Sequence, residues 1–139
     1  MGERPEATPV VFKKAYDLTL WYADHTTKFP KGYRFTLADT IQGGLFGLLV
    51  ALQDAAYGKD RKAALRASQE YVDRLRLWNR LARDLRCLNQ RQYAFASKQI
   101  EEIGKQVGGW NRSLNGAIPL PQPLPPGRGS SFLSLDGGG

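Results

Sequence analysis

The chain has 139 residues, 42% of them hydrophobic, and a formal net charge of +7. That length suits one domain with a modest core, and the charge favours an anionic partner, nucleic acid before a membrane surface. One cysteine, Cys87, and one histidine, His25, exclude a disulfide framework, a multi-cysteine metal site and the usual histidine-rich catalytic constellations.

The opening MGERPEATPV has no apolar stretch of the signal-peptide kind. An arm over 1–8 leads into the first predicted helix, from Pro9 to Thr27, with Thr8 as N-cap and Pro9 at the first helical position. Phe12, Tyr16, Leu20 and Ala23 recur at three or four residues and give it an inner face, widened by Val11, Leu18, Trp21 and Tyr22. Pro30 ends the segment, because the residue before a proline is driven out of the helical region. FPKGYRF then reads as a connector: Gly32 permits the turn and the aromatics pin it to the bundle.

The second helix spans Thr36 to Tyr57, with Thr36 as cap and Asp39 on its positive end. It is apolar on nearly every side, which implies burial on several sides and hence neighbouring subunits. Its longest apolar run, Leu45 to Leu52, is eight residues, where a membrane-crossing helix needs about 20. The expectation is a cytoplasmic protein with no membrane partner. Gly43, Gly47 and Ala51 lie four apart, a spacing that lets another helix come close.

Gly58 stops this helix and Asp60 caps the third, which is predicted to reach Leu88 along a stripe of Leu65, Val72, Leu75, Trp78, Ala82 and Leu85. Asn89, with Gln92 three residues on, starts the fourth; Tyr93, Ala96, Ile100, Ile103, Val107 and Trp110 form its inner face and GGW at 108–110 marks its end. The prediction is therefore all-α: an antiparallel up-and-down four-helix bundle over 9–112. A Pro/Gly/Ser-rich tail follows over 113–139, extended or mobile rather than a fifth core element.

Charge is uneven along the chain. Lys59 to Cys87 holds nine Lys/Arg against four Asp/Glu, which leaves this segment +5 of the total +7. At about 100° per residue, Lys62, Arg66, Arg76, Arg80 and Arg83 share roughly a quarter of the third helix's circumference. Asp73 interrupts that arc and is placed to pair with Arg76. Most of the cluster is arginine, whose planar fork suits phosphate and carboxylate, and four acids cannot neutralise nine bases. Tyr33 and Tyr57 could stack on bases, but buried packing is the expectation for both. Lys31 and Arg34 could extend a basic rim, although a structural connector is the stronger reading there.

No P-loop, GxGxxG, HExxH, CxxC or GxSxG pattern is present. His25 stands near a helix end, where a dipole or capping role is usual, and its sequence neighbour Asp24 points elsewhere on a helix. Cys87 lacks an identifiable base, and the side chains of Glu101 and Glu102 diverge. The expectation is a protein that is not an enzyme and that needs no cofactor or metal.

Taken in order, FPKGYRFTLADTI after a Trp/Tyr-rich first helix, Ala56-Tyr57 before a turn, LRLWNRLARDL, Gln92-Tyr93 and IGKQVGGW resemble the accessory variability determinant (Avd) proteins of diversity-generating retroelements. The resemblance spans about residues 10–112. The four-helix-bundle proteins encoded within 23S rRNA intervening sequences form the related broader group. The resemblance implies a ring-like homopentamer with a basic surface that binds a reverse transcriptase and its template RNA. It would thereby support error-prone cDNA synthesis without being a catalyst. It also implies that third-helix arginines matter for the partner, and Arg76 and Arg80 within LRLWNR match that pattern; Lys62, Arg66 and Arg83 are added by geometry alone. The alternative function is an rRNA- or ribosome-associated RNA-binding bundle with no reverse transcriptase partner.

Overall fold

The computed structural model describes residues 7–115, with side chains from 10 to 114. Four α-helices follow in order: α1 (Ala7–Thr26), α2 (Leu37–Tyr57), α3 (Arg61–Asp84) and α4 (Gln90–Asn115), with a 3₁₀ turn at Lys31–Tyr33. There is no strand among the described residues. α1 packs on α2 and α4, α2 on α3, and α3 on α4, so each helix touches its neighbours in sequence and the last closes on the first. This is the up-and-down bundle that short connections require. The proline-rich segment, with Phe132, Leu133 and Leu135, lies outside the described residues.

α1 keeps Phe12, Val11, Leu18, Trp21 and Tyr22 of its predicted face against the core but not Tyr16, Leu20 or Ala23. It begins at Ala7, so Thr8 is within the first turn and not at the cap. Pro9 is still unopposed there, because the first four N–H groups of a helix have no internal acceptor. The buried residues are Val11, Ala15, Leu18 and Tyr22, whereas Tyr16 and Leu20 are 48% and 57% exposed and Ala23 is exposed as well. Both stripes have helical spacing. The core takes the one offset by one position, which sets the Tyr22 hydroxyl on Asn79 and leaves Lys14 and Trp21 to reach α4.

In the connector, Phe29 is fully buried and Tyr33 packs against the core, but Phe35 is 78% exposed and pins nothing. Thr36 does not cap α2 through its side chain; its hydroxyl donates back to the Gly32 carbonyl at 3.4 Å. α2 buries Leu37, Ile41, Leu45, Leu48 and Leu52, while Phe46 and Val50 are more than half exposed. Gly43 faces open space, so the close approach expected of it belongs to Gly44, which meets the Trp78 ring, and to Gly47, which meets Tyr71. Gly58 ends α2 in an extended conformation, φ −82°. Glycine suits this position for lack of room: a Cβ would stand 2.6 Å from the Asp54 carbonyl oxygen.

The α3 cap is as predicted: Asp60 Oδ1 accepts from the Ala63 N–H at 3.0 Å. Its end is not. α3 stops at Asp84, and Arg86 takes φ 66°. The Cys87 N–H bonds to the Ala82 carbonyl at 2.8 Å and the Arg86 N–H to that of Arg83 at 2.9 Å. This is a Schellman closure with arginine where glycine is usual. A left-handed residue with a Cβ costs about 1–2 kcal/mol, so Arg86→Gly is expected to stabilise the bundle by about 0.5–1 kcal/mol, less than the full strain because glycine frees the unfolded chain. Urea melts of the two proteins check the sign.

α4 opens on a reciprocal capping box. The Asn89 N–H donates to Gln92 Oε1 at 2.9 Å and the Gln92 N–H to Asn89 Oδ1 at 2.8 Å. The helix does not end at GGW but runs on to Asn115, because Trp110 is buried on the same face as Ile103 and Val107 and holds the extra turn down.

Candidate nucleic-acid interface

α3 is held on two sides. Tyr71 and Trp78 lie over the glycines of α2, and the opposite flank, which carries Arg76, Asn79 and Arg83, faces α4. The basic arc is therefore the rim of the α3–α4 groove. Arg76 crosses this groove: Nε and Nη2 donate to the Glu101 carboxylate at 2.7 and 3.1 Å, and Nη1 donates to Asp73 on its own helix. The hydrogen bond to Glu101, then the charges of Glu101 and Asp73, raise the Arg76 pKa, and the same contact lowers that of Glu101. Arg76 is a cation with two carboxylates already in hand.

Arg83 lies over the Tyr93 ring, 4.4 Å from its centroid, while its Nε donates to Asp84 at 3.0 Å. Arg80 is exposed and makes no ion pair among the described residues. Together with Arg76, Tyr93, Ser97, Ile100 and Glu101 it lines a depression of about 200 Å³. Lys62 and Arg66 are exposed toward the start of α3 and are likewise without an ion pair among the described residues.

A family model described as bAvd-like matches residues 9–114. The chain belongs to the bAvd-like family. The match takes in all four helices of the bundle, as expected for an Avd-type protein, and Avd-type proteins are in general terms accessory and non-catalytic. No curated protein and no solved structure matches the chain at a significant level.

The bAvd-like bundle gathers Arg76, Arg80 and Arg83 at one groove, with Lys62 and Arg66 along the same helix. It does not bring Lys31 and Arg34 there: both are exposed on the α1–α2 connector, where Arg34 Nε donates to the Phe29 carbonyl at 3.1 Å. The pairing of Asp73 with Arg76 was readable from their spacing. The stronger partner, Glu101, is 25 residues away and carries no local signal. Tyr57 is half exposed, contrary to the packed position expected of it, whereas Tyr33 is packed.

His25 stacks on Trp21, with ring centroids 3.9 Å apart, and its Nδ1 lies 2.8 Å from the Trp21 carbonyl oxygen. Asp24 does approach it at the last turn of α1, Oδ2 standing 3.8 Å from Nδ1. Cys87 is half-buried and burial pushes its thiol pKa up, away from thiolate chemistry. No group of three metal-ligating side chains occurs among the described residues, and no described helix is long and apolar enough to cross a membrane.

Proposed function

We propose that this chain is a non-catalytic accessory factor of a diversity-generating retroelement, a homopentameric adaptor that joins a reverse transcriptase to its template RNA, and to the cDNA made on it. The observation that carries the reading is a basic rim along α3 on a bundle whose α1–α2 side also exposes apolar side chains. The α3–α4 side is rimmed by Lys62, Arg66, Arg80 and Arg83. On the other side, Tyr16 projects from the flank of α1 away from its α4 contacts, and Phe46 from the flank of α2 away from its α3 contacts, so both border the α1–α2 seam, with Leu20 on the outer face of α1. Val50 stands just outside it, 59% exposed. Leu77, Leu81 and Phe95 are exposed on α3 and α4 as well, but the α1–α2 side is the one without the third-helix cations, and groups of exposed apolar residues mark association surfaces. Self-association through that side leaves the cations facing out, and five copies of +7 give a formal +35, a strong attractor of RNA at low salt.

Native mass by light scattering after size exclusion, in high salt to strip nucleic acid, tests the ring. A mass near five times 15.5 kDa supports it, and a monomer at micromolar concentration overturns it. Reverse transcriptase pull-down and RNA binding then test the groove. Arg80→Gln is expected to weaken both more than Arg76→Gln, because Arg76 is already neutralised by Glu101 and Asp73 whereas Arg80 is not. Retention of both partners by an Arg76→Gln/Arg80→Gln double variant at moderate salt would put the interface elsewhere.

A further inference from the structure

α4 carries a basic residue at every seventh position: Arg91, Lys98, Lys105 and Arg112. Seven residues fall about 20° short of two full helical turns, so the four side chains form one slowly turning row with steps of about 10.5 Å and a length of about 32 Å. All four are exposed, and none makes an ion pair among the described residues. The acids nearest the row are already engaged, Glu101 by Arg76 and Glu102 by Lys14 at 2.8 Å.

The drift of the row has a direction. Tyr93, Ser97 and Glu101 define the flank of α4 that faces α3, and each successive member of the row lies closer to that flank. The helices are antiparallel: Arg83 meets Tyr93, Arg76 meets Glu101, and Val72 lies by Gly104. The same register sets Arg66 and Lys62 level with the last turns of α4, near Arg112. The row starts on the outer face of α4 and ends beside the open end of the α3 arc.

We propose that this row is a second polyanion track, one that grips the phosphate backbone of duplex segments in a folded RNA without reading sequence. Regular cations without a close ion pair, Lys98 and Lys105 feeling only the nearby charges of Glu101 and Glu102, suit a ligand whose charges are regular too, and a 10.5 Å step passes about three phosphates of one strand. The face offers bases no series of rings to stack on, only the partly exposed Phe95 at one edge. Between its cations lie Ala94, Glu101, Glu102 and Gly109, while Tyr93 is covered by Arg83 and Phe95 leans on Trp21. Single strands are held by such stacking platforms, whereas duplex RNA is held by shape and backbone contacts. The track rests on the RNA-binding half of the proposed function and adds a site to it.

The test uses the full chain, a fluorescent RNA hairpin of arbitrary stem sequence, and titrations over a range of KCl. The Arg91→Gln/Lys98→Gln/Lys105→Gln/Arg112→Gln variant keeps the helix, since glutamine matches lysine and arginine in propensity; circular dichroism verifies this. Its log–log salt slope is expected to be shallower by about 3–4, close to one for each phosphate that is no longer neutralised, with affinity down about tenfold or more at moderate salt. The control is Lys13→Gln/Lys28→Gln, on α1 and just beyond its end, which removes the same charge as Lys98→Gln/Lys105→Gln from residues that are likewise exposed. The α4 double variant is expected to flatten the slope and the α1 double variant to leave it unchanged. Equal effects, or an unchanged slope in the quadruple variant, overturn the track while the α3 reading stands. A wild-type chain that binds no hairpin even at low salt overturns both. Loss of binding to phosphatidylserine vesicles with hairpin binding intact would make the row a membrane face and overturn its assignment to RNA.

Discussion

Asn79→Leu is expected to destabilise the bundle by about 2–4 kcal/mol, and adding Tyr22→Phe is expected to restore most of the loss. Asn79 is 1% exposed in the middle of α3. Its Oδ1 accepts from the Tyr22 hydroxyl of α1, and its Nδ2 donates to Ser97 Oγ at 3.0 Å and to the Tyr93 carbonyl at 3.3 Å on α4. One side chain thus ties three helices, and no water is needed to complete the set. Leucine in its place fills the volume but strands a fully buried phenol. An unsatisfied buried group costs about 1–3 kcal/mol, whereas replacing both partners by apolar groups is nearly neutral. A double-mutant cycle by urea melts measures the difference, and additive losses would show that the network contributes nothing as a unit. Alkali gives a second readout. Burial pushes the Tyr22 pKa well above its ordinary value of 10. A raised pKa means that the folded state holds the proton the unfolded state gives up. The stabilisation is complete below about pH 10 and declines above it by about 1.4 kcal/mol per pH unit. Tyr22→Phe is expected to remove that share of the alkaline loss.

The architecture was legible because its signals are local. Asp60 and the Asn89/Gln92 pair name two helix starts through their own backbone neighbours, and the α3 and α4 stripes have one periodic solution each. The first helix was misread because it has two: Phe12, Tyr16 and Leu20 are as apolar and as well spaced as Val11, Leu18 and Tyr22. Only the position of α4, which claims Trp21 and Lys14, selects between them. The end of α3 was hidden because Arg86 does what glycine usually does. In the candidate site, the count of charges singles out α3, but counting cannot distinguish a cation that is paired across 25 residues from one that is not. Arg76 and Arg80 look alike in LRLWNR and line one depression, yet only Arg76 is held by carboxylates. The same focus on excess charge passed over α4, whose Arg91, Lys98, Lys105 and Arg112 are diluted in sequence by Glu101 and Glu102. The faces matter more than the sums: the α1 stripe that the core rejected is what leaves Tyr16 and Leu20 exposed.

Alanine at two adjacent positions of α2 is expected to move stability in opposite directions. Gly43 has nothing within 4 Å of a built Cβ, so Gly43→Ala gains helix propensity alone, about 1 kcal/mol. At Gly44 the same Cβ would stand 2.4 Å from a ring carbon of Trp78. Trp78 is half-buried and wedged between α2 and α3, so its ring yields only if the helices part or the side chain leaves its rotamer. Overpacking of this kind costs about 1–3 kcal/mol, which outweighs the propensity gain, and Gly44→Ala is expected to lose about 1 kcal/mol net. Gly47→Ala belongs between them. Its Cβ would meet the outer end of the Tyr71 ring, 2.4 Å from Cζ, and that end can swing toward solvent at little cost. Thermal melts at a fixed protein concentration are therefore expected to rank Gly43→Ala above wild type and Gly47→Ala near it, with Gly44→Ala below. The cause can be isolated by repeating Gly44→Ala in a Trp78→Leu background. There the obstructing ring is gone and alanine is expected to stabilise, as it does at Gly43. If Gly44→Ala remains destabilising without Trp78, close approach of the α3 ring is not what requires glycine at that turn.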